Sequence, residues 1–255
     1  MDAYKNWDSK AINWSNSLSL GHDLINDLFG MPTFLNQIGA LDNLKLLDAG
    51  CGEGRSARAF AKHGALVTGV DISQVMIEEA IRKENELPVG NKYFQSSCSN
   101  LNTLKDESFD VVTSFMALMD TSNLAEVFKE FYRILKPGQF LAIMVRHPCF
   151  FSIGFKIVAN NIGERAALQN SNYFLQKPYK ELLRFPREKN QEYEIERFPY
   201  TLSDYIQTLI ETNFKIDAIV EPRPSVDLCQ TLPNLNFWRE HASLYLYIKA
   251  TKIGS

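Results

Sequence analysis

The stretch LLDAGCGEGRSARAFAKHGALVTGVDIS, Leu46 to Ser73, places three glycines within five residues between an apolar run and an alanine-rich segment, and then repeats an apolar run that ends in aspartate. An apolar run, a glycine turn, a helix and a second apolar run make a β-α-β unit. Its glycines 50, 52 and 54 fall where the first strand turns into the helix. Glycine at such a turn tolerates positive φ and removes the Cβ that would hold a ligand off the backbone. A plain tight connection would need one glycine rather than three in alternation.

Working outward, the alternation continues. LKLLDAG, ALVTGVD, KYFQSS, FDVVTSF and QFLAIMV read as strands. GRSARAFAKHG, QVMIEEAIRKEN and NLAEVFKEFYRIL read as helices between them, which predicts a parallel sheet covered on both faces. Gly64 stands where a left-handed C-cap is wanted, Ser73 precedes a helix, and the KPG at Lys136 to Gly138 stops another helix before a strand. Residues 1 to about 40 read as two helices. Past Val145 the pattern changes: residues 147 to about 200 are aromatic-rich, carry prolines at 148, 178, 186 and 199, and show no period, so they are expected to form an insertion. TLSDYIQTLIETNF then reads as a helix capped at Ser203, and KIDAIVEP and HASLYLYIKAT as closing strands.

Composition narrows the function classes. A chain of 255 residues, 45% of them hydrophobic, can bury a large core without metal or disulfides. A net charge of -3 with both signs interspersed lacks the basic footprint of a nucleic-acid or membrane binder. Cys51, Cys98, Cys149 and Cys229 are widely spaced, which suggests neither a zinc site nor a disulfide framework. No apolar run approaches the roughly 20 residues needed to cross a bilayer, and the N-terminus lacks the layout of a secretory signal. The expectation is a cytoplasmic protein with no metal, no nucleic-acid partner and no membrane partner.

Asp71 ends the second strand about 20 residues past the glycine loop, where a carboxylate can accept hydrogen bonds from both ribose hydroxyls; it could equally face the N-terminus of the next helix. Loop and carboxylate together point to an adenosine-containing cofactor. A dinucleotide fits poorly, because the third glycine comes one residue early for G-x-G-x-x-G and Glu53 adds negative charge where a pyrophosphate would approach.

These residues resemble a known family. LLDAGCGEGR is similar to motif I of the class I S-adenosylmethionine-dependent methyltransferases, VTGVDIS to their second-strand motif, DESFDVVTSFMALMD to the fourth-strand motif, and EFYRILKPGQFLAIMV to the segment entering the fifth strand. The resemblance covers about residues 40 to 147. It implies a Rossmann-like, doubly wound α/β fold with a seven-stranded, mostly parallel sheet and an antiparallel last strand. It also implies a cofactor without phosphate, S-adenosyl-L-methionine, with S-adenosyl-L-homocysteine as product. Carried over, Asp48, Gly50 and Gly52 would line the methionine moiety, Asp71 would bind the ribose and Ile72 would pack on the adenine. Cys98 and Ser99 would border the adenine edge, and Phe115 with Met116 would close the methionine side. At that edge the family often has an aspartate, so Cys98, a weak hydrogen-bonding group, is a departure.

The implied organisation is an N-terminal helical segment over the cofactor (1–40), a methyltransferase core (41–147 and 201–255) and a substrate lid (148–200). Methyl transfer needs alignment and exclusion of water above all. If a general base is used, His147, directly after the fifth strand, is the candidate, with hydrogen bonding to the insertion as its other role. Arg146 should point to the opposite side. Tyr4, Trp7 and Trp14 could shield a sulfonium or anchor the core. The insertion's aromatic residues could cover a substrate or pack on the sheet, and the locally basic KPYKELLRFPREK reads as a solvated helix face, with reception of an acidic substrate as the other reading. The expected acceptor is a small molecule, methylated at oxygen or nitrogen. A macromolecular methyltransferase, a non-catalytic S-adenosylmethionine-binding regulator and, distantly, a dehydrogenase are the alternatives, and the chain could be a monomer or a homodimer.

Overall fold

Leu46 and Leu47 are adjacent in the first strand, β1 (Lys45–Ala49), and both are fully buried, yet they belong to two different cores. Side chains alternate along a strand, so a sheet covered on both faces demands apolar residues at consecutive positions. The computed structural model describes residues 3–160, 163, 165–170, 172–185, 187–188 and 191–254.

Before β1 come α1 (Ala3–Asp8), α2 (Ala11–Ser19), a π turn (Asn26–Gly30) and α3 (Met31–Ile38). After it run α4 (Arg55–Lys62), β2 (Leu66–Asp71), α5 (Gln74–Glu86), β3 (Lys92–Gln95), β4 (Phe109–Phe115), α6 (Leu124–Ile134) and β5 (Leu135–Arg146). Two antiparallel hairpins follow, β6 (Lys156–Ala159) with β7 (Arg165–Gln169) and β8 (Tyr179–Leu183) with β9 (Tyr193–Arg197). Next are α7 (Leu202–Glu211), β10 (Phe214–Val220), α8 (Val226–Thr231), α9 (Leu235–Glu240) and β11 (Tyr245–Lys252).

Seven strands form one sheet in the order β10-β11-β5-β4-β1-β2-β3. β11 is antiparallel to both its neighbours and the other six strands run parallel. The strand order reverses between β1 and β4, which opens a crevice at their carboxyl ends. On one face, α6 buries Leu124, Val127, Phe128, Phe131 and Ile134, a stripe at helical spacing. On the other, α3 and α4 contribute Phe34, Ile38, Ala57 and Phe60.

The sequence-predicted sheet and its helices are present, and several local expectations are corrected. The N-terminal segment holds three helices and a π turn rather than two helices, because short polar α2 is stabilised by packing more than by its own pattern. β5 starts at Leu135, so the KPG lies inside it; pairing with β4 begins at Phe109–Leu135 and shifts register before Val111. α7 is capped by Thr201, not Ser203: Thr201 Oγ1 accepts from Asp204 N and Asp204 Oδ2 accepts from Thr201 N, a reciprocal capping box. The basic stretch expected on a helix face forms β8, where Lys180 pairs with Glu194 across the hairpin. Pro186, and Tyr4 as a side chain, lie outside the described residues. Among the described residues no helix is long and apolar enough to cross a membrane.

Replacing Thr201 by alanine removes the cap and should cost about 1 kcal/mol in chemical denaturation, while Thr201→Ser, which keeps the hydroxyl, should cost well under half of that.

Candidate active site

The turn after β1 is held by two hydrogen bonds from Gly50 N and Cys51 N to Val70 O, 2.8 and 3.0 Å. Gly50, Gly52 and Gly54 all have positive φ, +79°, +53° and +82°. Two of them do different jobs. A Cβ on Gly50 would stand 2.4 Å from Ala117 Cβ, in the turn after β4, so only glycine lets the two loops meet. A Cβ on Gly52 would meet nothing within 4 Å and would project into open space.

That space belongs to a cavity of about 230 Å³ at the carboxyl ends of β1, β2 and β4. Gly50, Gly52, Asp71, Ile72, Cys98, Ser99, Phe115 and Met116 all line it, so eight of the nine sequence-predicted binding residues are brought together. Asp71 Oδ2 accepts from Gly52 N at 2.8 Å and Oδ1 from Ser73 N at 2.9 Å, which locks the carboxylate across the mouth of the glycine turn. Burial pushes its carboxyl up, against the pull of those two backbone bonds. Cys98 is pushed up to about 12 by burial, with Asp71 and Asp48 adding to it, so its thiol stays protonated and serves only as a weak donor.

The ninth residue, Asp48, is not on the wall. It is fully buried below the cavity, where Ser56 Oγ donates to it at 2.6 Å and Thr113 Oγ1 at 3.3 Å. Burial pushes its carboxyl up to about 7 although both hydroxyls oppose the shift. Ser56, which does line the cavity, stands between Asp48 and the space. Glu53 also differs from expectation: its side chain is 2% exposed and is neutralised by Arg58 and Lys83 at 2.8 and 2.7 Å. Its charge therefore does not repel an approaching anion, and the glycine spacing alone speaks against a pyrophosphate.

The N-terminal helices supply Trp7, Trp14 and Leu18 to the opposite wall. They are fastened there by Asp8, whose Oδ1 accepts from Ser73 Oγ at 2.5 Å, and by Ser15, which donates to Glu79 at 2.9 Å. Arg55, missed in the sequence, lines the cavity while paired with Asp23 and Asp27; its position next to the third glycine was the available signal. Asp120 was missed as well, although it ends the fourth-strand motif, because its partner Arg197 lies far along the chain. It lines the cavity, its side chain is 11% exposed, and it pairs with Arg197 of β9. Burial pushes its carboxyl up to about 6 against the pull of Arg197. Met116 adopts φ +59°, which costs a non-glycine residue roughly 1–2 kcal/mol and is held by Met116 N donating to Met144 O at 2.8 Å.

His147 does not reach the cavity. Its N–H continues the ladder to Leu244 O at 3.1 Å, so alternation sends the imidazole away, where Nε2 lies 2.6 Å from Glu221 Oε1 and the residue is 1% exposed. Burial lowers its pKa in spite of Glu221. Arg146, expected to be the more remote of the two, instead reaches toward the inserted hairpins and pairs with Glu181.

Comparison with known proteins concerns the fold and the segment that carries the glycine turn. Residues 47–143 fit the family described as Methyltransferase domain. Over 111 residues the chain is 34% identical to a ubiquinone biosynthesis O-methyltransferase of Pseudomonas entomophila, covering 43% of this chain and 48% of that protein. It is 35% identical over 105 residues to the sterol 24-C-methyltransferase ERG6A of Gibberella zeae, covering 40% of this chain and 28% of that one. The match thus spans half or less of the length of these relatives. The crystal structure of an S-adenosylmethionine-dependent methyltransferase from Listeria monocytogenes superposes with a TM-score of 0.71 at 26% identity, over 92% of this chain and 100% of that one. Residues 47–143 thus form a methyltransferase domain, and the chain as a whole is similar in fold to S-adenosylmethionine-dependent methyltransferases.

The residues present fit the cofactor of these methyltransferases. The cradle at Gly52 would be filled by a Cβ, Asp71 turns a carboxylate to the cavity, and neutral walls such as Ile72 and Met76 suit a base.

Gly52→Ala should leave the fold cooperative and weaken cofactor binding at least tenfold, whereas Gly50→Ala, forced onto Ala117, should lower thermal stability before binding is considered. A pH series checks Asp48. Its carboxyl titrates near 3.8 in the unfolded chain and near 7 when folded. The folded state therefore holds a proton that the unfolded state gives up, and the contribution is present below about 4 and lost as pH rises to about 7. The stability of wild type minus that of Asp48→Asn should fall across that window in urea titrations.

Proposed function

We propose that this protein transfers a methyl group from S-adenosyl-L-methionine to an oxygen or nitrogen of a small molecule. The observation that carries the reading is Asp71, a carboxylate at the end of β2 bonded to Gly52 N and facing, across one cavity, Trp7 and Trp14. Bound there, the cofactor supplies an electrophilic methyl group on a sulfonium.

The chain's own groups then have distinct tasks. Asp71 retains lone pairs for the two ribose hydroxyls. Ile72 and Met76 pack on the adenine, with Cys98 and Ser99 along its edge. Gly50 and Gly52 let the backbone approach the methionine part, and Arg55 offers a guanidinium to its carboxylate. Phe115 and Met116 close that end, while Trp7 and Trp14 exclude water and place aromatic faces beside a cation. Residues 1–40 act as the cover of the cofactor and 148–200 as the lid of the acceptor.

The acceptor's proton goes to Asp120 rather than to His147. Asp120 lies on the cavity wall, one of its oxygens faces Arg197, and a carboxyl near 6 can accept a proton at neutral pH and release it afterwards. His147 holds the strand end against Glu221.

Calorimetry tests the reading. S-adenosylhomocysteine should bind at one per chain, and Asp71→Ala should weaken it roughly 10- to 100-fold, the loss expected for hydrogen bonds to a charged group. Asp120→Asn should keep that affinity within about twofold while lowering turnover on a cognate acceptor roughly 100-fold or more. Turnover lost instead in His147→Ala would return the base to His147, and an absence of S-adenosylhomocysteine binding would sink the whole assignment.

A further inference from the structure

Next to the cofactor cavity, buried Arg197 and the partly buried Arg146, Glu181 and Asp120 alternate in charge along a chain: Arg146, Glu181, Arg197, Asp120. Arg197 Nε donates to Glu181 Oε2 at 2.8 Å and its Nη1 pairs with Asp120, while Arg146 Nη1 pairs with Glu181 Oε1. One carboxylate thus receives two guanidiniums. The side chains of Arg146, Glu181 and Arg197 are 19%, 17% and 7% exposed, and the four charges sum to zero. Burial alone would raise the Glu181 carboxyl, but Arg146 and Arg197 hold it below the ordinary glutamate range.

A second cavity of about 30 Å³, room for little more than a water molecule while Glu181 is in place, lies at this chain, walled by Arg146, Glu181 and Arg197 together with Phe151, Tyr179 and Tyr200. The Arg146 guanidinium lies 3.8 Å above the Phe151 ring. Asp120 is on the wall of the first cavity and Arg197 on that of the second, so their ion pair is the partition between the two.

As a structural tie, this arrangement is poor value: apolar side chains would hold a hairpin as well without desolvating four charges. As a receptor it makes sense. Two converging guanidiniums over aromatic walls form a bidentate carboxylate site, and Glu181 occupies it with the chain's own carboxylate. The two strands of the hairpin are not equally fixed. β9 is tied to the core by Phe198 N donating to Met119 O at 2.8 Å, whereas β8 is the outer strand and, among the described residues, pairs with β9 alone. Glu181 can leave by turning outward on β8 while Arg197 stays in place.

We propose that the methyl acceptor is a small carboxylic acid with a flat apolar body, and that its carboxylate replaces Glu181 between Arg146 and Arg197. The proposal rests on the methyl-transfer reading above. The exchange keeps the local charge balanced, since one carboxylate leaves as another enters. The acceptor's body then lies along Tyr179, Tyr200 and Phe151, and its far end reaches the Asp120 partition and the cofactor cavity beyond. A neutral isostere leaves the cluster one negative charge short, with Asp120 alone against two guanidiniums, and is rejected.

The test uses the 255-residue chain saturated with S-adenosylhomocysteine and titrated in a calorimeter with 3-hydroxybenzoate, 4-aminobenzoate and the corresponding amides. Wild type should bind an acid at least tenfold more tightly than its amide. Glu181→Gln, nearly isosteric, should tighten the acids a further tenfold or more, and Arg146→Gln should abolish the preference; Arg146→Lys, which keeps the charge without the fork, should reduce it if the glutamine variant does not fold. Equal binding of acid and amide by wild type overturns the proposal. So does a preference seen in Glu181→Gln alone, because a vacated ion-pair slot takes any anion. Saturation with S-adenosylhomocysteine is measured first, so its failure marks the methyl-transfer reading as wrong, while intact saturation without acid preference marks only this proposal as wrong.

Discussion

The close approach of the turns after β1 and β4 is the constraint on which the site depends. Gly50 and Ala117 touch so tightly that any Cβ at position 50 would collide with the alanine methyl. Because these strands are neighbours at the point where strand order reverses, their turns diverge above the contact and leave the crevice between them. Phe115, Met116 and Asp120 line one side of that crevice and Gly52 and Asp71 the other. Met116 pays for the geometry with a left-handed backbone, anchored by its bond to Met144 O.

The N-terminal helices that line the crevice are joined to the second hairpin. Trp14 of α2 packs against Phe185 and Tyr193 of the second hairpin, with ring centroids 5.0 and 5.1 Å away. Ser17 Oγ and Tyr193 Oη add a buried hydrogen bond of 2.8 Å between the same elements. The aromatic residues of the insertion therefore divide between packing and lining: Phe185 and Tyr193 are core, Tyr179 and Tyr200 face the smaller cavity, and Phe174 is 84% exposed.

What was legible in the sequence follows from the range of the interactions involved. The sheet and its helices could be read because strands buried on both faces and helices buried on one impose local periodicity, and β4 matches the stretch FDVVTSF residue for residue. The glycine turn and Asp71 could be read because their chemistry is local. The hairpins between 156 and 197 could not, since β6, β7 and β8 are exposed or half-buried and only β9 buries alternate residues, over five positions. α8 and α9 went unread because helices of six residues carry too little pattern. Asp120 and Arg197 lie 77 residues apart and mean nothing separately. His147 was placed correctly at the end of β5, and only the parity of the strand decided that Arg146 would be the residue to turn toward the hairpins.

The antiparallel strand β11 follows every other strand in the chain, yet it lies inside the sheet, between β10 and β5. Its register joins Tyr245 to Arg146 and Thr251 to Phe140, contacts that span about a hundred residues. Tyr245 Oη also donates to Asn26 Oδ1 at 2.6 Å, and so links the strand to the N-terminal segment. During synthesis β5 is therefore left with an open edge until β11 emerges, and β10 has no strand to pair with. Contacts of such long sequence separation are slow to form. The order of assembly is thus the reverse of a domain that grows outward: the sheet is completed from within, by its last strand.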